Sequence, residues 1–442
     1  MNKNLAVIGL GKLGYPMAEY LSSSGLTIKC YDADVNLLKK LKSGHNPLEF
    51  ENQLLDYKNN GNNLNFYLNF EDCIKDTFMC FITVPTNSLK DGNFDNSILI
   101  NVLDKLCIHI KKTNSKYYIV INSTVSPGSI NEVLIPHVEK KGLKNKLDFA
   151  FIYNPYFVAL GDVIKGLSEP DFILIGYDDI EAIKIIKDFY NKIYNKPKFV
   201  ELNFKESELA KLLVNTFLTL KISFTNLTRE ITKKDKNISA LKILECIGSD
   251  QRIGQRYLRP GGPFSGPCLP RDNQALQAFC NRIGSKNFLS DSILHTNSNV
   301  IKNFTNDMTA IKEKGYKVIG FAGFGYKSNA NSLEDSFLLD LIKKCDEIDF
   351  DIIIYDSYLV PEIPFKLKKK IRFVESLKKL EDSCDIIFLP YIDKKFNYFL
   401  NGKKVIFDIW CQLTGENIFS KSIKIPKFEI TEKDQKIINF NN

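Results

Sequence analysis

An apolar run, Leu5-Ala-Val-Ile-Gly-Leu10, passes directly into Gly9-x-Gly11-x-x-Gly14, and a helical pattern through Met17, Leu21 and Ser24 follows. A second apolar run, Leu26–Tyr31, ends at Asp32, 18 residues beyond Gly14. This strand–turn–helix–strand order is the strongest constraint in the chain. Glycines permit a tight turn and let backbone N–H groups approach a pyrophosphate at the helix N-terminus. A carboxylate closing the second strand binds the ribose hydroxyls of NAD and repels the extra phosphate of NADP. Strand, turn, helix and distal Asp32 together therefore predict an NAD site, with Leu13 inside the turn. A glycine turn that serves close packing alone is the competing reading.

The alternation continues. Strands are expected at Phe78–Val84, Tyr118–Asn122, Phe149–Tyr153 and Phe172–Ile175, with helices between them, the pattern of a parallel α/β sheet. At Asn203-Phe-Lys-Glu206 a capping box opens a helix. Leu209, Leu212, Leu213, Phe217, Leu220 and Phe224 then recur at helical spacing, which predicts a long amphipathic helix. Helical patterning runs to about residue 246, is broken by a Gly/Pro-dense loop over 260–270, and resumes to about Lys314. A second alternation has strands at Tyr316–Phe321, Asp351–Tyr355, Asp385–Pro390 and Lys404–Phe407. The fold class is thus α/β: two Rossmann-like parallel-sheet domains joined by a long central helix and a helical middle domain. The expected divisions are 1–203, 204–314 and 315–442.

Length and composition agree with this. A chain of 442 residues with 44% hydrophobic and 25% charged residues is ordinary globular material for two or three domains. No apolar run reaches membrane-spanning length, and the N-terminus lacks the h-region of a signal peptide. A cytoplasmic protein with reduced thiols is expected. The net charge of +8 comes mostly from scattered lysines, with short clusters such as Lys368-Lys369-Lys370. That reads as a solvated surface that favours anionic small substrates, not as a nucleic-acid site. Ten cysteines without a C-x-x-C pair, beside four histidines, argue against structural zinc.

Most cysteines are expected to be small buried hydrophobes. Cys268 is different. It lies in Pro260-Gly-Gly-Pro-Phe-Ser-Gly-Pro-Cys-Leu-Pro270, where glycines allow close backbone approach and prolines stiffen the loop. A thiolate there is a candidate nucleophile toward an aldehyde, and Asp272 four residues on could move a proton. A structural thiol is an equal alternative from this residue alone. Lys211 and Asn215, four apart on the long helix, project from one face; a solvated helix face is the plainer alternative. Thr124, in Ser123-Thr-Val-Ser-Pro-Gly128, closes a strand at the sheet edge where open α/β sheets bind ligands. It could hold a water or simply cap the next helix.

Taken in order, these motifs resemble the UDP-glucose/GDP-mannose dehydrogenase family. The resemblance includes Gly9–Gly14, Val84-Pro85-Thr86, Ser-Thr-Val-x-Pro-Gly at 123–128, Asn154-Pro155-x-Phe157 and Glu208-Leu-Ala-Lys-Leu-Leu-Val-Asn215. It continues through Asp250-Gln-Arg-Ile-Gly254, Phe264-x-Gly-x-Cys-Leu-Pro-x-Asp272, Gly323-x-x-Tyr326-Lys327 and Tyr355-Asp356. The resemblance implies four-electron oxidation of the C6 alcohol of a nucleotide sugar by two NAD, with UDP-glucose as default substrate and a role in supplying surface polysaccharide. It implies Cys268 as nucleophile, Lys211 and Asn215 as oxyanion stabilisers, Asp272 for proton transfer and Thr124 holding water. Val84, Pro85, Thr86 and Thr124 would flank the cofactor. Tyr156, Phe157, Tyr257, Gly262, Phe264 and Gly266 would line the substrate pocket, with Lys327 at the diphosphate. Arg252 would reach the sugar from a second subunit, which implies a homodimer.

Several positions depart from the family pattern: Tyr156 and Leu160 where Glu is usual, Glu334 and Trp410 where Arg is usual, and Ser265 for a glycine. A phenol at 156 would orient a water without taking its proton. Action on another nucleotide hexose, stalling before acid release, and nucleotide-sugar binding without turnover are the alternatives these departures leave.

Overall fold

The computed structural model describes residues 4–44, 63–159, 162–233, 235, 237–325, 327–328, 333, 335–357, 366–367, 371–402, 404–410, 412–413 and 437–438. Leu160, Tyr326, Glu334, Lys368–Lys370 and Cys411 lie outside the described residues. The chain divides into two compact units, Met1–Val214 with Gln274–Lys286, and Asn215–Asn273 with Asn287–Asn442.

The first unit is built on eight strands: β1 Asn4–Ile8, β2 Ile28–Tyr31, β3 Leu64–Phe66, β4 Thr77–Ile82, β5 Tyr117–Ile121, β6 Phe149–Tyr153, β7 Ile173–Gly176 and β8 Phe199–Leu202. They lie in the order β3-β2-β1-β4-β5-β6-β7-β8. All pairings are parallel except β6 with β7. Alternate side chains feed two cores. Val7, Phe81, Val120 and Ile152 enter one; Ile8, Ile82, Ile121 and Tyr153 enter the other. Burial on both faces explains why these strands read as continuous apolar runs. The second unit carries β9 Val318–Ala322, β10 Asp351–Tyr355, β11 Arg372–Phe373, β12 Ile386–Leu389, β13 Val405–Asp408 and β14 Ile437–Ile438. This parallel sheet has the order β11-β10-β9-β12-β13-β14 and again two buried faces. The two expected Rossmann-like sheets are therefore present. The short strands β3, β8, β11 and β14 were not anticipated, because two to four residues carry too little periodicity.

The long helix spans Phe204–Thr232. Its capping box is reciprocal: the Glu206 N–H donates to Asn203 Oδ1 at 2.9 Å, and the Asn203 N–H donates to Glu206 Oε2 at 3.0 Å. Its amphipathicity is inverted relative to the sequence expectation. Glu208, Lys211, Asn215, Thr219, Ser223, Asn226 and Arg229 are all buried. Leu213, Phe217, Phe224, Leu227 and Ile231 are 46–61% exposed. Of the apolar residues expected to face the core, Leu212 does so, while Leu213, Phe217 and Phe224 point outward. Periodicity identifies a stripe but not its direction. Among the described residues, no helix is long and apolar enough to cross a membrane.

Candidate active site

The first glycine turn has the geometry its spacing requires. Gly9 adopts φ +93°, a left-handed conformation. A Cβ on Gly14 would lie 1.9 Å from the Gly9 carbonyl oxygen, so the helix can start there only with glycine. A Cβ on Gly11 would meet nothing within 4 Å, which leaves that side of the turn open to a ligand. Leu13 packs against the core beneath. Asp32 closes β2 and accepts the Leu10 N–H at 2.6 Å and the Asp34 N–H at 2.8 Å. An open glycine cradle beside a half-buried carboxylate fits a dinucleotide, with the pyrophosphate at the turn and a ribose at Asp32.

The ends of β4, β5 and β6 are stapled together. Ser123 Oγ donates to the Val84 carbonyl and Thr86 Oγ1 to the Thr124 carbonyl, both at 2.6 Å. Asn122 donates to the Asn154 carbonyl at 2.6 Å, and Asn154 donates to the Leu174 carbonyl at 2.8 Å. The Val84-Pro85-Thr86 and Ser123-Thr124 segments expected at the cofactor are thus one connected edge. Lys211 Nζ donates to the Tyr156 carbonyl at 2.9 Å and lies 4.6 Å from the centre of the Phe157 ring.

Tyr156 needs correcting. Its hydroxyl bonds the Tyr190 hydroxyl at 2.8 Å, which in turn donates to Asn154 Oδ1 at 2.5 Å. Burial pushes the phenol well above its ordinary range. The hydroxyl expected to orient a water is turned into this chain, and Tyr156 meets Lys211 through its backbone carbonyl instead. Tyr156, Phe157, Tyr190 and Tyr194 also border a cavity of about 60 Å³.

In the second unit Cys268 directly precedes the helix Leu269–Arg282, and its carbonyl accepts the Asp272 N–H at 2.9 Å, the first bond of that helix. Cys268 is exposed, whereas Cys30, Cys73, Cys80, Cys107, Cys345 and Cys384 are buried. Burial pushes the Cys73 and Cys384 thiols up to about 12, and those of Cys30 and Cys80 well above the usual thiol range. Asp272 is 1% exposed and accepts from Asn215 Nδ2 at 2.6 Å. Lys211 and Asn215 are 7% and 8% exposed, which excludes the solvated-face alternative.

The loop before Cys268 is held by side chains that sequence reading missed. Asn226 accepts the Gly261 N–H and donates to the Gly262 carbonyl, both at 3.1 Å. Arg229, 1% exposed, donates to the Gly261 carbonyl at 2.6 Å. Asn297 makes paired bonds of 2.8 and 2.9 Å to the Phe264 backbone. Gly266, at φ +83°, donates its N–H to the Asp335 carbonyl. Trp410 fills the space beside Gly261, where a Cβ would lie 2.0 Å from its ring, and donates Nε1 to the Pro390 carbonyl at 2.9 Å. The only sequence signal for Asn226 and Arg229 was that they continue the Lys211/Asn215 face. Tyr257, at φ +65°, is 47% exposed. Arg252 is on the surface, bonded to Asp250. Lys327 is half-buried in the segment after β9. Among the described residues no group of three or more His, Cys, Asp or Glu side chains could hold a metal ion.

Comparison with known proteins adds to this geometry. Residues 3–194 match the NAD-binding domain of the UDP-glucose/GDP-mannose dehydrogenase family, and residues 205–299 match its central domain. A GDP-mannose 6-dehydrogenase of Pseudomonas aeruginosa is 24% identical over 424 residues, covering 91% of this chain and 95% of that protein. A UDP-glucose 6-dehydrogenase of Rickettsia bellii is 28% identical over 399 residues, covering 87% of this chain and 88% of that protein. A UDP-glucose dehydrogenase structure from Pyrobaculum islandicum shares the fold, with a TM-score of 0.83 at 22% identity over 93% of this chain and 95% of that one.

Proposed function

The chain belongs to the UDP-glucose/GDP-mannose dehydrogenase family of NAD-dependent oxidoreductases, and we propose that it oxidises the C6 primary alcohol of a nucleotide sugar to the carboxylate, with UDP-glucose to UDP-glucuronate as the first reaction to test. One alcohol and one water give one carboxylate, two hydrides and three protons. NAD supplies the hydride acceptor when bound in the Gly9–Gly14 cradle with its ribose at Asp32.

The chain's own residues do the rest. Loss of a hydride from C6 and of the hydroxyl proton turns the alcohol into the aldehyde, to which Cys268 Sγ adds, forming a C–S bond and an oxyanion that is protonated to the thiohemiacetal. Oxidation of that carbon gives the thioester. Water then attacks, the C–S bond breaks, and the sulfur recovers its proton. Lys211 and Asn215 stabilise the oxyanions of addition and hydrolysis by charge and by hydrogen bonding. Asp272 takes and returns protons, with its carboxylate fixed by Asn215. Thr124 holds the attacking water. The observation that carries this reading is the exposed thiol of Cys268 at a helix start, one turn before a buried Asp272 bonded to Asn215 at 2.6 Å.

The first 203 residues serve NAD, residues 204–314 carry the nucleophile loop, and residues 315–442 hold the nucleotide sugar with Lys327 at its diphosphate. Tyr257, Gly262, Phe264 and Gly266 border the sugar. The outward apolar stripe of the long helix and the exposed Arg252 support a homodimer in which Arg252 serves the partner's site. The buried thiols of Cys30, Cys73, Cys80, Cys107, Cys345 and Cys384 support a reducing, cytoplasmic setting, with the uronate feeding surface polysaccharide.

Incubation with NAD and a panel of UDP- and GDP-hexoses tests the reading. Two NADH per sugar consumed, with one substrate preferred, is expected. One NADH per sugar would show that oxidation stops at the aldehyde, and none with any sugar would refute the proposal.

A further inference from the structure

Glu208 has no part in the chemistry above, yet it is 0% exposed and lies three residues before Lys211 on the same inward helix face. Its carboxylate accepts two backbone N–H groups, from Gly128 and, at 2.9 Å, from Ile130. Those amides sit at the back of the turn that carries Thr124. Gly128 adopts φ +98°, a left-handed conformation that favours glycine. The same turn is braced a second time. Arg282, the last residue of the helix that begins after Cys268, donates Nη2 to the Pro127 carbonyl. The front of the turn is fastened separately, by Thr86 to the Thr124 carbonyl and by Ser123 to the Val84 carbonyl.

We infer that Glu208 is a positioning residue that fixes the Thr124 turn in register with the Lys211 helix, braced by Arg282. The inference rests on Thr124 and Lys211 belonging to the proposed reaction. An ionised carboxylate accepts at both oxygens. A glutamine keeps the shape but turns an NH2 toward one of the two amides, leaving that amide without an acceptor. Protonation of Glu208 has a similar effect. The charged groups around the carboxylate are Glu132 and Lys205, which pair with each other at 2.7 Å, and Arg282, which lies 3.9 Å from Glu132. Burial, reinforced by Glu132, pushes the Glu208 carboxyl up to about 7 against the pull of the two amides and Lys205. Turnover should therefore fall as pH drops through that value.

The test compares wild type, Glu208→Gln and Arg282→Gln in kcat, in KM for NAD, in the pH profile of kcat, and in hydrogen–deuterium exchange of segment 124–130. A displacement of about 1 Å at a reacting centre costs roughly 10²-fold, so Glu208→Gln is expected to lower kcat by about 10- to 100-fold. KM for NAD, which the same turn flanks, should rise by less than kcat falls, the ionisation near 7 should vanish from the profile, and exchange at residues 128 and 130 should quicken. Arg282→Gln should act in the same direction with smaller effect. Wild-type kcat in both variants overturns the inference. If the wild type oxidises no nucleotide sugar, the proposed reaction falls, and exchange alone decides the clamp: unchanged exchange overturns it, faster exchange upholds it. Should Glu208→Gln not fold, Arg282→Gln, whose side chain is 43% exposed, decides by the same two readouts.

Discussion

Replacing Glu208 by Gln should change how stability depends on pH, in a direction the structure fixes. The buried carboxyl is raised from 4.5 to about 7, chiefly by burial. At about 1.4 kcal/mol per tenfold in the equilibrium constant, that rise corresponds to about 3 kcal/mol of differential interaction between the two protonation states. A carboxyl raised in the folded state contributes stability that is fully present below its unfolded value. That stability is lost as pH rises through the folded one. Glutamine does not titrate, but it strands one buried amide, which costs roughly 1–3 kcal/mol. The protonated wild type strands an amide in the same way, so the two proteins should be about equally stable at about pH 5, and the wild type should fall behind by about 3 kcal/mol as pH rises to about 8. Urea or thermal midpoints of the two proteins, measured side by side across that range, supply the assay. The comparison cancels groups common to both, including Asp307 and Asp408, whose carboxyls burial also raises. A difference that stays constant with pH, or that grows in favour of the wild type toward high pH, would refute the reasoning.

Three further outcomes follow from the site. Cys268→Ser should abolish steady NADH production while leaving substrate binding nearly intact, since a hydroxyl is a far weaker nucleophile than a thiolate; a Ser variant at the wild-type rate would end the covalent reading. Asp32→Ala should narrow the preference for NAD over NADP by about 1–3 kcal/mol in kcat/KM, the scale of a lost buried hydrogen bond and a removed like charge; equal use of both cofactors by the wild type would remove Asp32 from the ribose. Phe217→Asp combined with Leu227→Asp should convert a dimer to monomer in sedimentation, because both side chains lie on the exposed stripe; an unchanged mass would place the interface elsewhere.

Much of this was legible in the sequence, for identifiable reasons. The Gly9–Gly14 turn and Asp32 could be read because each glycine answers a steric demand: φ +93° at Gly9, and a collision with the Gly9 carbonyl at Gly14. The Asn203–Glu206 cap could be read because the motif is local. The Tyr156 phenol could not. Its direction depends on Tyr190, 34 residues away, and on Asn154 beyond it. The same holds for Trp410, which meets Gly261 across 149 positions of sequence. At a position where the resemblance implies a cation, this chain supplies an aromatic plate against the loop. Such pairings leave no trace in spacing.

The long helix shows why a periodic pattern can be read correctly and still face the wrong way. Hydrophobic periodicity assumes that the apolar stripe goes inward, because burial of apolar surface drives folding. Burial of polar groups is tolerated only where each finds a partner. On this helix most do, the Thr216 hydroxyl excepted. Glu208 takes two amides, Lys211 a carbonyl, Asn215 the Asp272 carboxylate, Thr219 the Asn273 side chain, Asn226 both sides of Gly261-Gly262, and Arg229 the Gly261 carbonyl. A helix whose inward face is committed to polar positioning has only its outward face left for Leu213, Phe217, Phe224, Leu227 and Ile231. Five large apolar side chains, each 46–61% exposed in one stripe, are costly to leave in water. The same commitment that places Lys211 and Asn215 in the interior thus creates the surface on which a second copy of the chain is expected to pack.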